Sequence, residues 1–464
     1  MAWLFNLFYL LLLAVASPWL VIPSLRTGKY RSGLGERFFG LVPPRDSQRK
    51  CVWLHAVSLG EVNLLQTLLE HVERDYPDWD VVISSTTATG YATAKKKYSP
   101  RQVFYAPFDF NWAVGNVLRR IRPDVLLLAE LEVWPNLLRA AKAQGTKVAV
   151  INGRLGERSF QGYRRLSWLL QSTFARIDVV AAQTEQYAER FLALGCPAER
   201  VGVTGSLKFD GAQFDRNNAA TRRLAKLAGI DAAADVVFLA GSTQAPEESL
   251  ALDVFERFAS EFPQLKLILV PRHPERFAEV AQLLDRRGIA WRRRSELDDI
   301  PANSATMPRV LLVDAVGELA AWWGQAKIAF VGGSLGSRGG QNMIEPAAYG
   351  AAVSFGPNTW NFRDVVSLLL ANDAAAVVHD AAGLSQFVQR CLSEPDYAER
   401  LGHRAALLVR EQQGATQQTM KLLEPLLRGK EPAALRVDLR QRVASARHFQ
   451  PAASSTAGRR RPSA

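Results

Sequence analysis

The stretch HAVSLGE, residues 55–61, follows the apolar run CVWL and ends on a carboxylate. A buried strand has no use for Gly60 and Glu61, whereas a site that takes a proton from a hydroxyl uses both. At a strand end where a helix begins, the Glu61 carboxylate is stabilised as the anion by the helix dipole and by unpaired N–H groups. The anion is the form a general base requires. An ordinary glutamate at a helix N-terminus fits the same pattern. The chemical reading gains from a second stretch, AELEVWPN (129–136), which sets Glu130 and Glu132 after another apolar run. Ser58 has no His or Asp placed as in a nucleophile elbow, so no covalent role is expected of it.

Cations and glycines lie in the other half of the chain and at the junction that precedes it. VPRHPER (270–276) closes an apolar run with Arg272, His273 and Arg276, and TGSLKFD (204–210) carries Lys208. SLGSRGGQNMIEPAAYG (334–350) has glycines at 336, 339 and 340 ahead of a helical pattern, with Arg338 among them. Gly339 and Gly340 would let backbone N–H groups approach a phosphate, and Arg338 could pair with it. Glu345, one helical turn past Asn342, could accept bonds from ribose hydroxyls. Taken singly, these are a turn, a solvated basic loop and a linker lysine. Taken together, a carboxylate in one half and a phosphate pocket in the other suit transfer of a group from a phosphate donor to a hydroxyl. The spacing is neither a dinucleotide fingerprint nor a P-loop. No histidine pair has ligand spacing, and the sole D-x-D, Asp78–Asp80, precedes a strand, so neither a metal nor another cofactor is expected.

These residues need a scaffold that gathers strand ends. CVWLHAV, VVISSTT, VLLLAE, KVAVING and VVAAQT read as strands separated by amphipathic runs such as VNLLQTLLEHVERDYP. After a polar pause at 207–218 the pattern restarts with VVFLAGS, LKLILVPR, RVLLVDA, IAFVGGS and AAVSFGP. Such alternation predicts an α/β protein with two Rossmann-like parallel-sheet domains facing a cleft, and ligands collect at the carboxyl ends of such strands. The expected layout is a membrane anchor helix over 1–29, an acceptor-binding domain over 30–207 and a linker over 208–219. A nucleotide-sugar domain over 220–395, C-terminal helices over 396–428 and a disordered basic tail over 429–464 follow.

Composition agrees with a folded chain that meets anions. The 464 residues exceed one ordinary core, 48% are hydrophobic, and Lys plus Arg exceeds Asp plus Glu by 12. Seven arginines against one aspartate after residue 432 supply half of that excess. Three scattered cysteines form no disulfide framework. The first charge is Arg26. The uncharged stretch Trp3–Ile22 has the length of a membrane helix, and with Arg26, Lys29, Arg31 and Arg37 behind it an uncleaved anchor is favoured over a signal peptide. Spanning the bilayer and lying in one leaflet both fit.

HAVSLGE, ELEVWPN, NGRLGERS, VTGSLKFD, VPRHPERF, GGSLGSRGGQNMIEPAA and FGPNTWNF, in this order, resemble the 3-deoxy-D-manno-octulosonic acid (Kdo) transferases of lipopolysaccharide biosynthesis. The likeness runs from about residue 30 to 425. It implies a GT-B glycosyltransferase fold and inverting, metal-independent transfer of Kdo from CMP-Kdo to lipid IVA, the lipid A precursor. It also implies an anchor in the inner (cytoplasmic) membrane with the catalytic domains on the cytoplasmic side. Nucleic acid is not an expected partner. The resemblance makes Glu61 the base, with Ser58 and Gly60 on the acceptor side, and gives Glu130 and Lys208 a part in stabilising the transition state. It places CMP against Pro271 and Arg272, against Val316, Gly317 and Glu318, and against Asn342, Met343, Ile344 and Glu345. Family members usually carry His after the two glycines; Gln341 stands there in this chain, able to hydrogen-bond but not to be cationic. Two alternatives remain open: a GT-B enzyme using another nucleotide sugar, and a non-enzymatic membrane-tethered protein that binds anionic ligands.

Overall fold

The computed structural model describes residues 6–7, 9–11, 32–299 and 307–430. They form two compact units, one of residues up to Gly205 together with those from Thr416 on, the other of Ser206–Ala415. The expected anchor lies outside the described residues except for five positions between 6 and 11, and the arginine-rich tail after 430 lies outside them altogether. Among the described residues no helix is long and apolar enough to cross a membrane.

The first unit runs α1 (Leu34–Phe39), β1 (Cys51–Ala56), α2 (Leu59–Asp75), β2 (Asp80–Ser85), α3 (Ala88–Tyr98), β3 (Gln102–Tyr105) and α4 (Asn111–Ile121). It continues β4 (Val125–Ala129), α5 (Pro135–Ala143), β5 (Lys147–Gly153), α6 (Glu157–Arg165), α7 (Ser167–Phe174), β6 (Val179–Ala182), α8 (Glu185–Ala193) and β7 (Val201–Val203). All pairings are parallel, in the order β3-β2-β1-β4-β5-β6-β7. β1 shows why the central strands are continuously apolar. Cys51 and Trp53 enter the core on one face of the sheet, while Val52, Leu54 and Ala56 enter the core on the other. With both faces covered, a polar side chain has few places to go. Asp80, the end of the D-x-D, opens β2 at its amino end and pairs with Arg45 at 2.6 Å.

The described part of the N-terminus is tied into this unit by a polar knot. Asn6 donates to Asn111 Oδ1 at 2.8 Å and accepts from Asn136 Nδ2 at 3.2 Å, and Tyr9 donates to Asp109 at 3.0 Å. The Asp109 carboxyl also accepts the backbone N–H groups of Asn136 and Leu137 and so caps α5. Burial pushes its pKa up to about 6, against the lowering effect of those bonds.

The second unit runs α9 (Ala219–Leu227), β8 (Val236–Thr243), α10 (Glu247–Phe258), β9 (Leu265–Pro271), α11 (Phe277–Arg286), β10 (Trp291–Arg293), β11 (Val310–Leu312) and α12 (Leu319–Trp322). Then come β12 (Ile328–Val331), α13 (Ile344–Ala348), β13 (Ala352–Phe355), α14 (Arg363–Ala371), β14 (Ala376–Val377), α15 (Ala381–Ser393) and α16 (Pro395–Glu411). Its sheet is again parallel, in the order β10-β11-β9-β8-β12-β13-β14. The last helix, α17 (Ala415–Leu427), carries the chain back into the first unit. Met420, Leu423, Leu426 and Leu427 pack there with Val52, Leu54 and Leu127. The three cysteines are free and buried, and burial pushes each thiol up to about 12, which leaves them inert as nucleophiles.

Leu423 is fully buried. Leu423→Ala should therefore cost about 2–5 kcal/mol, the range for a deleted core leucine. Hydrogen exchange should locate the loss: faster exchange in β1 and β4, with β8 and β9 unaffected.

Candidate active site

In the first unit the winding reverses between β1 and β4, the crevice where ligands bind in open α/β sheets. Glu61 follows the first of these strands and Glu130 the second. Ser58 caps α2, its Oγ accepting the Glu61 N–H at 3.4 Å while its hydroxyl donates to Glu61 Oε1 at 2.8 Å. Val57 N–H donates to Glu61 Oε2 at 2.9 Å. This is a capping box, S-x-x-E, with the glutamate reaching one residue further back than usual. The strand-to-helix turn is clamped in its place: Val57 O accepts from Thr87 N, Thr87 Oγ1 and Ser85 Oγ, each at 3.0 Å. Gly90 is required beneath it, because a Cβ there would stand 2.3 Å from Ser85 Oγ. Gly60, by contrast, is exposed, and a Cβ would meet only Ser58 Oγ, at 3.7 Å.

Each Glu61 oxygen carries one local bond, so about half of a carboxylate's acceptor capacity is left for a substrate. Glu130 sits in the left-handed region with φ 56° and donates its backbone N–H to Ile151 O at 2.9 Å. Glu132 accepts from Trp134 Nε1 at 2.8 Å and lies 3.8 Å from His55 Nε2. His55 is buried, its Nδ1 held 2.9 Å from Ser84 Oγ.

Here the expectation for Glu61 is corrected. The cap bonds from Val57 and Ser58 do favour the anion, but burial outweighs them. Burial, with the nearby charges of Glu130 and Glu132, raises the Glu61 pKa above its ordinary 4.5. The carboxylate is thus a better proton acceptor than a dipole-stabilised one.

In the second unit the named residues fall on the carboxyl edge of the sheet. Pro271 ends β9, and the Arg272 N–H donates to Thr243 O at 3.0 Å. Arg272 and His273 are exposed, and the Arg272 charge reaches Glu345. Burial raises the Glu345 pKa; the Asn342 Nδ2 bond to Oε1, 3.0 Å, and the Arg272 charge oppose it. Asn342 Oδ1 also accepts the Ile344 N–H at 3.0 Å, while Met343 and Ile344 are buried in the core beneath. Gly339 and Gly340 have φ of 87° and 76°, and a Cβ on Gly339 would stand 2.5 Å from Trp360, so both glycines are conformational requirements. Arg338 is exposed with no carboxylate partner among the described residues. Lys208 lies in a single 3₁₀ turn, Leu207–Phe209, partly buried.

Two candidate contacts are otherwise engaged. Arg276 pairs with the buried Glu248 and, at 3.0 Å, with Glu279, so it is no phosphate ligand here. The Glu318 carboxylate takes a bidentate pair from Arg294, at 2.8 and 2.9 Å, and a contact from Arg223 at 3.3 Å. Only the exposed Val316–Gly317 turn before it is open to a ligand.

A family model described as 3-deoxy-D-manno-octulosonic-acid transferase (kdotransferase) matches residues 32–211, the region holding Glu61, Glu130 and Lys208. The 3-deoxy-D-manno-octulosonic acid transferase of Haemophilus influenzae is 30% identical over 434 residues, covering 91% of this chain and 99% of that one. The chain belongs to the Kdo transferase family. The Bordetella pertussis transferase of the same name is 35% identical over 386 residues, 81% of this chain and 87% of its own. A glycosyltransferase from Rickettsia africae covers 83% of this chain and 100% of its own at 12% identity with a TM-score of 0.52, a likeness of fold alone.

For this Kdo transferase the rate should rise with pH through a group titrating above 4.5, the ordinary glutamate value. The sign follows from the neighbours. Glu130→Gln removes a charge that raises the Glu61 pKa and should move this acid limb to lower pH. Ser58→Ala removes a bond that lowers it and should move the limb to higher pH. Profiles of kcat/KM for the three proteins check both directions.

Proposed function

We propose that this chain transfers Kdo from CMP-Kdo to lipid IVA in lipopolysaccharide synthesis, with inversion and without a metal. The observation that carries the reading is Glu61 in its capping box: a carboxylate of raised proton affinity, fixed at the switch point of the first sheet, with acceptor capacity to spare. Membership of the Kdo transferases supplies the sugar.

In this mechanism Glu61 takes the proton of the acceptor hydroxyl as that oxygen attacks the anomeric carbon of Kdo. The bond from that carbon to the phosphate oxygen of CMP breaks on the opposite face, its electron pair leaving with CMP, and the configuration inverts. Ser58 holds the base and Gly60 leaves the approach to it open. Glu130 keeps the Glu61 proton affinity high and, being anionic, favours positive charge developing on the sugar. Charge on the departing phosphate is met by Arg272, Arg338 and Lys208 and by the Gly339–Gly340 turn. Glu345, oriented by Asn342, receives the ribose.

An acylated acceptor confines the enzyme to a membrane surface, for which we assign the cytoplasmic face of the inner membrane. Supporting this, the first unit exposes Leu34, Phe39, Leu41 and Trp112. On α4, the helix that carries Trp112, and its C-cap, Arg119, Arg120 and Arg122 have no carboxylate partner among the described residues. Apolar side chains beside unpaired cations suit an anionic bilayer.

The test is the mass of the product. Purified protein with lipid IVA should add Kdo from CMP-Kdo and nothing from UDP-sugars. Glu61→Gln should lower the rate by about 10² or more while CMP still binds. Product from a UDP-sugar alone, or an undiminished Glu61→Gln variant, would reject the reading.

A further inference from the structure

The crevice between β8 and β12, where the second sheet reverses its winding, is filled from within. Glu247, the first residue of α10, is 1% exposed. Its carboxylate accepts four backbone N–H groups: Oε2 from Gly333 at 2.7 Å and Gln244 at 2.9 Å, Oε1 from Ser334 and Leu335 at 3.0 Å each. All four partners are donors, the set an ionised carboxylate takes, and no cation pairs with it among the described residues. Gly332 makes room, since a Cβ there would stand 2.7 Å from Glu247 Oε2.

Successive amides converging on one anion form a nest of the kind that holds phosphate oxygens. Here the protein supplies the anion. The nest adjoins the turn that faces the donor: Gly340 N–H donates to Gly333 O at 2.8 Å, and a Cβ on Gly333 would lie 3.3 Å from Gln341 Nε2. The loop therefore offers the donor its Arg338–Asn342 turn, while the amides that a further phosphate would use are already taken. A negative charge seated beneath them also repels that phosphate.

We propose that Glu247 is a positioning and specificity residue whose carboxylate stands in for a second donor phosphate, so that this unit holds a nucleoside monophosphate sugar and rejects a diphosphate one. The inference rests on the reading of the second unit as the donor half. Calorimetric titration of the full chain with CMP and with CDP tests it. The wild type should bind CMP at least ~10-fold more tightly than CDP, a difference of about 1.4 kcal/mol. Glu247→Ala and the isosteric Glu247→Gln should both loosen the loop and shrink that ratio toward one. A glutamate with only a structural role would weaken both nucleotides by the same factor and leave the ratio unchanged. That result, or a wild type that binds CDP as tightly as CMP, overturns the inference. A wild type that binds neither nucleotide overturns the donor reading and the inference with it. If Glu247→Ala does not fold, Glu247→Gln decides, and the wild-type ratio decides if neither folds.

Discussion

A parallel sheet that winds outward in two directions has one place where adjacent strands send their chains to opposite faces, and each of the two units has a glutamate at that place. Between β1 and β4, and again between β8 and β12, the loops part; Glu61 and Glu130 follow the strands of the first crevice, and Glu247 fills the second. In both units the helix that follows the first central strand begins with a glutamate in its first turn, Glu61 on α2 and Glu247 on α10. The two carboxylates occupy related positions and live in different surroundings. Glu61 has two local donors and the repulsion of two neighbouring carboxylates. Glu247 has four amides and no solvent.

That difference divides the labour. A carboxylate that is partly buried and incompletely bonded keeps an appetite for protons, which suits a base. A carboxylate saturated by four amides has no acceptor capacity left for a substrate and serves as a scaffold. The loop after β12 then owes its shape to an internal carboxylate, and its Gly339–Gly340 turn is tied to it by the Gly340 N–H bond to Gly333 O and held by the Asn361 N–H bond to Gly339 O. The first unit invests similarly in its Val57 carbonyl, which three donors hold so that its N–H can point at Glu61.

The central strands were legible because both faces are covered, so burial writes an unbroken apolar run into the sequence. β3, β7, β10 and β14 were not, and these four are the edge strands of their sheets. They run only two to four residues, QVFY, VGV, WRR and AV, and, unlike the equally short β6, β11, β12 and β13, each has a neighbouring strand on one side only. The candidate site was legible only as residues that follow apolar runs, and its electrostatics were less so. The proton affinity of Glu61 depends on the nearness of Glu130, which strand order decides and spacing does not. Arg276 looked free because its partner Glu248 lies 28 residues away. The S-x-x-E of the capping box is a sequence signature of the turn that holds Glu61. Glu247 left only the weak signal of two adjacent acids at a helix start, and its four amide partners are visible only once the sheet is assembled.

The central claim is that Glu61 holds its proton more tightly than an ordinary glutamate because of burial and the company of Glu130. The most direct measurement follows the Glu61 carboxyl itself, by carbon-13 NMR of glutamate-labelled protein across pH, with Glu61→Gln to assign the resonance. The account predicts a midpoint above 4.5 that falls when Glu130 is replaced by glutamine. A midpoint at or below that value, or one indifferent to Glu130, would contradict it.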